Sequence, residues 1–184
     1  MLQPLSHLPA FSLVEPLLQA IVNQNMIIGA PPGAGKSTVL PLSLLNTHIK
    51  GKILLMQPRR VVVRNLAQYM AGVLGEQVGD TVGYRIRGEN KVSASTRLEI
   101  ITEGILSRMI QSDPELAGVA VIIFDELECS NPFDLGYLEK MQGYPDKYKF
   151  RVGDYRVGLT VDKKTQTLVC ERVVHRQKIY KVFP

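Results

Sequence analysis

The run Ala30-Pro31-Pro32-Gly33-Ala34-Gly35-Lys36-Ser37-Thr38 gathers glycines, a lysine and hydroxyls in one short stretch. Glycines let backbone amides curve inward around an anion, and a helix opening at the end of the run adds the positive end of its dipole. The chemistry this suits is the binding of a nucleotide's phosphates. Lys36 is expected to reach the β- and γ-phosphates and Ser37 to ligate Mg²⁺. The binding set is Ala30, Gly33, Ala34, Gly35, Lys36, Ser37 and Thr38. The usual pattern opens with Gly where this chain has Ala30, and Gly29 precedes it.

Two carboxylates, Asp125 and Glu126, close the apolar run Val121-Ile122-Ile123-Phe124. A strand that ends in paired acids places them at the carboxyl edge of a sheet, where ligands bind in open α/β folds. Downstream of a phosphate loop, Asp125 is expected to hold Mg²⁺ together with Ser37. Glu126 is expected to orient or activate the attacking water. Lys36, Asp125 and Glu126 form the expected catalytic group.

These residues need a scaffold. Leu13, Leu17, Leu18, Ile21 and Val22 recur at helical spacing, which predicts a helix over 12–24 with Ser12 as its N-cap. Met26-Ile27-Ile28 reads as a short buried strand leading into the phosphate loop, and a helix follows from Ser37 to Leu45. Strands are predicted over 53–56, 81–86, 98–102 and 119–124, the last buried. Helices are predicted over 61–74 and 103–110. Alternating strands and helices, with strands apolar throughout, imply a parallel sheet covered on both faces. The expected fold is α/β, a parallel sheet around the phosphate loop, followed by a small antiparallel β segment. In that segment, residues 147–152, 155–161 and 167–174 alternate apolar and polar side chains, and a polar turn separates the last two. The chain then divides into 1–127 and 128–184, joined by a linker around 128–132.

Composition agrees with a globular protein. The chain has 184 residues, 45% hydrophobic and 21% charged. Its +5 net charge is uneven: residues 1–127 carry 11 basic and 10 acidic side chains, whereas 128–184 carry 11 and 7. The basic tail is the part more suited to phosphates. Two cysteines, Cys129 and Cys170, cannot build a disulfide framework, no apolar run spans a bilayer, and no Lys or Arg precedes Lys36. The expectation is a cytoplasmic protein without membrane contact.

Residues 1–126 resemble the start of the first motor domain of a DEAH-box RNA helicase of the bacterial HrpB type. The resemblance rests on Ala30–Thr38, Gln57-Pro58-Arg59-Arg60, Val82-Gly83-Tyr84-Arg85-Ile86-Arg87, Thr96-Arg97-Leu98-Glu99, Thr102-Glu103-Gly104 and Asp125-Glu126, in matching order and spacing. It implies a RecA-like P-loop NTPase sheet, truncated in this chain, and ATP and Mg²⁺ as cofactors. It also implies RNA sugar-phosphate contacts by Arg59, Arg60 and Thr102, a role that paired arginines can fill without reading bases. The family continues from its Asp-Glu to a variable residue and His, where this chain has Leu127 and Glu128. Nothing later resembles the family's Ser-Ala-Thr segment or its arginine finger. The expectation is therefore ATP binding with weak hydrolysis and no unwinding by this chain alone, since a finger is worth roughly 10³–10⁵ in rate.

Residues 131–183 resemble the C-terminal part of a RelE/ParE-type toxin, on Asn131-Pro132-Phe133, Gly143–Tyr148, Arg151-Val152-Gly153-Asp154-Tyr155-Arg156 and Val174-His175-Arg176 with Ile179-Tyr180. That resemblance implies Lys149, Arg151, Arg156, Arg176 and Tyr180 as phosphate-handling residues, and an antitoxin or the ribosome as partner. Three functions follow: an ATP-binding motor-domain fragment of an RNA helicase; a toxin-type ribonuclease remnant or antitoxin-binding module; and an inactive product of gene fusion.

Overall fold

The computed structural model describes residues 3–21, 26, 28–125, 139–152, 155–162, 167–175 and 179–183. Two compact units make up the chain: residues 1–18 with 30–127, and residues 19–29 with 128–184.

The first unit is built on a sheet of five strands: β1 (Lys52–Met56), β2 (Val82–Ile86), β3 (Glu89–Lys91), β4 (Leu98–Ile101) and β5 (Val119–Phe124). Their order is β3-β2-β4-β1-β5. All neighbours are parallel except β2 and β3, which form a hairpin. Ile53, Leu54, Leu55, Leu98, Ile100 and Ile101 are fully buried, so the central strands β1 and β4 are covered on both faces. This is the mostly parallel, helix-flanked sheet that the apolar runs implied.

Helices α2 (Lys36–Leu44), α3 (Arg60–Leu74) and α4 (Glu103–Ser112) belong to this unit, as does α1 (Val14–Ala20) except for its last two residues. The α3 stripe Val63, Ala67, Met70 and Ala71 is buried, as its helical spacing requires. The helix stops at Gly75, whose left-handed φ of 73° lets its amide bond back to Ala71 and Gly72. On α4, Leu106 packs with Leu54 of β1 and Ile101 of β4, with Ile105, Met109 and Ile110 around them. Helix α2 is buried from Thr38 to Leu44 and packs against β1 and α3.

Three expectations require correction. The first helix begins at Val14, after a 3-10 turn over Pro9–Leu13. Ser12 lies inside that turn, with its hydroxyl donating to the Pro9 carbonyl at 2.9 Å, and so does not cap the helix. Met26 and Ile28 belong to no strand and are only half-buried; Ile27 lies outside the described residues. Strand β5 is only partly buried, because among the described strands it pairs with β1 alone. The β3 arm of the hairpin, polar in all three residues, was not foreseen.

The second unit carries an antiparallel sheet in the order β6-β7-β8-β9: Glu139–Lys140, Lys147–Val152, Tyr155–Asp162 and Thr167–His175. The last three are the strands that the alternating tail predicted. A short α5 (Ile179–Val182) follows, and Met141, Ile179 and Phe183 form a small buried cluster. A Cβ at Gly158 would lie 2.6 Å from the Phe183 ring, so only glycine lets that ring rest on β8. The proposed linker, residues 128–132, lies outside the described residues. Among the described residues no helix is long and apolar enough to cross a membrane.

Candidate nucleotide and RNA site

The glycine-rich run forms a turn that enters α2 at Lys36. Gly33 and Gly35 hold φ of 75° and 85°, a region that L side chains enter at a cost. Gly35 is the residue before the helix, and its Cα faces Leu8, where a Cβ would sit 2.7 Å from Leu8 Cδ1. The loop is pinned from two sides. The Ala34 amide donates to the Pro31 carbonyl at 3.2 Å, and the Ala10 amide donates to the Ala34 carbonyl at 2.9 Å. Inside α2, the amides of Thr38 and Val39 both donate to Gly35, at 3.1 and 2.8 Å.

Among the described residues, no backbone hydrogen bond engages the amides of Gly33, Gly35, Lys36 or Ser37. These are donors at the start of a helix, where the dipole favours negative charge. The Lys36 ammonium folds back over the same turn, donating to the carbonyls of Ala30 and, at 3.2 Å, Pro31. Ser37 is half-buried and Thr38 is buried. Loop, helix start and lysine thus bring amide donors and one ammonium to a single turn.

The carboxyl ends of β1, β4 and β5 carry the remaining residues. The register aligns Met56 with both Ile101 and Phe124, so Gln57, Thr102 and Asp125 leave the sheet side by side. Asp125 is buried, its amide donating to the Met56 carbonyl at 3.1 Å. Its carboxylate accepts a hydrogen bond from the side-chain amide of Gln57. Gln57 is itself buried, and its Oε1 is the buried side-chain atom without a hydrogen-bond partner among the described residues. Glu126 lies outside the described residues.

Arg59 precedes α3 in extended conformation, and Arg60 opens the helix; both are exposed. The Arg60 guanidinium donates to the Arg87 carbonyl, which fixes it over the β2–β3 turn. Thr102 precedes α4 without using its hydroxyl as a cap. These three RNA candidates therefore stand at the ends of adjacent strands β1 and β4.

Sequence reasoning missed an ionic group behind this edge. Glu99 is fully buried in β4 and bonded by Lys52 of β1 and by Arg85 Nε of β2, the latter at 2.7 Å. Burial pushes its carboxyl pKa up, but the hydrogen bonds from Arg85 and Lys52 outweigh that and hold it below the ordinary value. Arg97 ties the segment after α2 to β4, donating to the carbonyls of Leu45 at 3.0 Å and Ile49 at 2.8 Å.

In the second unit, Lys149 is buried and pairs with Glu139 at 3.1 Å. Arg151 lies opposite Arg156 across β7 and β8. Tyr180 falls within α5, and Arg176 lies outside the described residues.

A parallel, helix-flanked sheet, with a glycine-lysine loop opening one helix and an aspartate closing an adjacent strand, defines a RecA-like fold. The DEAD/DEAH box helicase family model matches residues 14–144. The chain belongs to that family. It is 48% identical over 154 residues to the ATP-dependent RNA helicase HrpB of Escherichia coli K12, covering 80% of this chain and 19% of that one. It is 31% identical over 163 residues to the ATP-dependent RNA helicase HrpA of Borreliella burgdorferi, covering 85% and 20%. The crystal structure of the E. coli DEAH/RHA helicase HrpB superposes with a TM-score of 0.62 at 53% identity, over 65% of this chain and 16% of that one. The chain thus spans about a fifth of the length of these curated relatives.

Proposed function

We propose that the chain binds Mg-ATP at the loop that opens α2 and an RNA backbone along the carboxyl ends of β1 and β4. The observation that carries this is the set of amides at Gly33, Gly35, Lys36 and Ser37, unpartnered among the described residues, around a lysine already held over the turn. A phosphate chain satisfies those donors and draws Lys36 from two neutral carbonyls to an anion.

The donor set fits Mg²⁺. Among the described residues no three His, Cys, Asp or Glu side chains gather. The described residues suit an ion held by one carboxylate, a hydroxyl and substrate phosphates. Ser37 and Asp125 are the residues to hold it, and an unpartnered buried acceptor, Gln57 Oε1, lies on the amide that grips Asp125. When bound, the ion neutralises charge on the phosphates. Lys36 does the same from the protein side, the loop amides orient the phosphates, and Glu126 orients the attacking water. Hydrolysis is weak in this reading. Arg59, Arg60 and Thr102 bind RNA through its phosphates and sugars, so affinity is insensitive to base sequence. Residues 1–127 form the ATP-binding domain, and 128–184 form a separate basic module.

Titration calorimetry of Mg-ATP against the full chain and Lys36→Ala tests the reading. Binding by the wild type with at least a tenfold loss in the variant is the expected result. No binding by a folded wild type ends the nucleotide reading.

A further inference from the structure

Gln57 sits where three strand ends meet at the candidate site, and the sequence assigns it no task. Its backbone amide donates to the Ile101 carbonyl at 2.8 Å, one residue before Thr102. Its side-chain amide donates to Asp125. The preceding carbonyl, that of Met56, accepts from the Asp125 amide. Two residues on, Arg59 leads into α3. Strands β1, β4 and β5 are thus tied at their carboxyl ends through this one position. Gln57 is 2% exposed, so bulk solvent does not compete for these bonds.

We propose that Gln57 is a positioning residue for the metal site: it fixes the Asp125 carboxylate through Nε2 and offers Oε1 as an acceptor to water of the bound magnesium. The inference rests on the Mg-ATP reading above.

Two observations favour a ligand-directed role over a purely structural one. A structural glutamine in a sheet edge satisfies both ends of its amide within the protein. Here the donor end is satisfied by Asp125 and the acceptor end has no partner among the described residues. The unpartnered oxygen belongs to the same amide that holds the carboxylate, so it lies beside the ion's expected ligand. Magnesium keeps several waters when bound through a single carboxylate and phosphates, and each such water is a hydrogen-bond donor. The amide therefore matches both components: a donor for the carboxylate and an acceptor for metal-bound water.

The test compares the full-length wild type with Gln57→Met, which keeps side-chain length and volume and removes both polar atoms. Fluorescent ATP is titrated in excess Mg²⁺ and in EDTA, so the readout is binding, and the ratio of the two affinities measures the metal's contribution. The expected result is an EDTA affinity within twofold of wild type and a magnesium enhancement reduced about tenfold, matching the behaviour of Asp125→Asn in direction. Gln57→Asn, which retains an amide withdrawn by one methylene, is the second variant should Gln57→Met fail to fold, and the same loss is expected of it. An unchanged enhancement in a folded variant overturns the inference and leaves the nucleotide site standing. So does an equal loss with and without magnesium, which is what a merely structural glutamine gives. A wild type that binds nucleotide in neither condition overturns the proposed function itself, and this inference with it.

Discussion

Glu99 shows how one buried charge can be held on a strand whose neighbours supply its partners. It sits opposite Leu54 and Gly83, while Lys52 and Arg85 lie two residues away along the flanking strands. That spacing puts all three side chains on one face as diagonal neighbours. Both cations keep partial exposure, at 40% and 33%, so the pairing is worth less than a fully buried triad. Because the folded-state pKa of Glu99 is lowered, its contribution is present above the ordinary carboxylate range and lost as pH falls through the folded value. Glu99→Gln is expected to lose about 2 kcal/mol at pH 7, with the gap to wild type closing below about pH 4. Urea melts across that range give the measurement, and a gap independent of pH contradicts the assignment. The Arg60 guanidinium is fixed by the Arg87 carbonyl and still reaches solvent. Arg60→Ala is expected to weaken binding of any single-stranded RNA alike and to reduce the slope of affinity against salt by about one counterion. Filter binding with two unrelated oligonucleotides checks both parts. Lys36, Ser37 and Asp125 were legible in the sequence because residue type and order suffice to suggest them. Gln57 and Glu99 were not, because their partners come from the register of three strands, and no local pattern encodes a register between distant segments.

Among the elements, α3 and β5 mark the two ends of legibility. In α3 the apolar positions recur over four turns and a glycine ends the run, so period and stop signal agree. A test of that stop is clean, since a Cβ at Gly75 meets nothing within 4 Å and its φ of 73° is the whole obstacle. Gly75→Ala is expected to cost about 1 kcal/mol with no loss of nucleotide binding, read by thermal melting and by the same calorimetry. A larger loss, or lost binding, places some contact at Gly75 that its surroundings do not contain. Strand β5 reads in sequence like β1, yet its side chains are only partly buried while Ile53, Leu54 and Leu55 are fully so. Composition reports what a strand can bury and not whether it is central or at an edge. The same gap explains Met26-Ile27-Ile28. An apolar triplet is too short to carry a period, and strand formation depends on a pairing partner that the triplet does not specify. The β3 arm was missed for the opposite reason. Glu89, Asn90 and Lys91 are polar throughout, and they pair because the turn after Ile86 returns them to β2.

At the scale of the molecule, two compact units share one chain, and each has its own stabilising group. In the first, the core lies between α4 and the central strands, and the phosphate loop is tied to the Pro9–Leu13 turn through Ala10 and Leu8. In the second, Met141, Ile179 and Phe183 close over a four-stranded antiparallel sheet, with Lys147 placed 5.9 Å from the Phe183 ring. Separate cores predict separate responses, so a single unfolding free energy does not describe the chain. A ligand that binds only the folded form stabilises the unit that holds its site, by about 2.7 kcal/mol at a hundred times its Kd. Mg-ATP is therefore expected to raise the transition of the first unit and leave that of the second in place. Phe183→Ala is expected to do the converse. Losing a buried aromatic ring from so small a core costs about 3 kcal/mol, which lowers the second transition and leaves Mg-ATP affinity unchanged. Differential scanning calorimetry of both proteins, with and without Mg-ATP, separates the two effects. If Phe183→Ala abolishes nucleotide binding, the site is not self-sufficient within the first unit. If the two perturbations instead move different transitions, the site is self-sufficient within the first unit, and the basic tail is free to serve a ligand of its own.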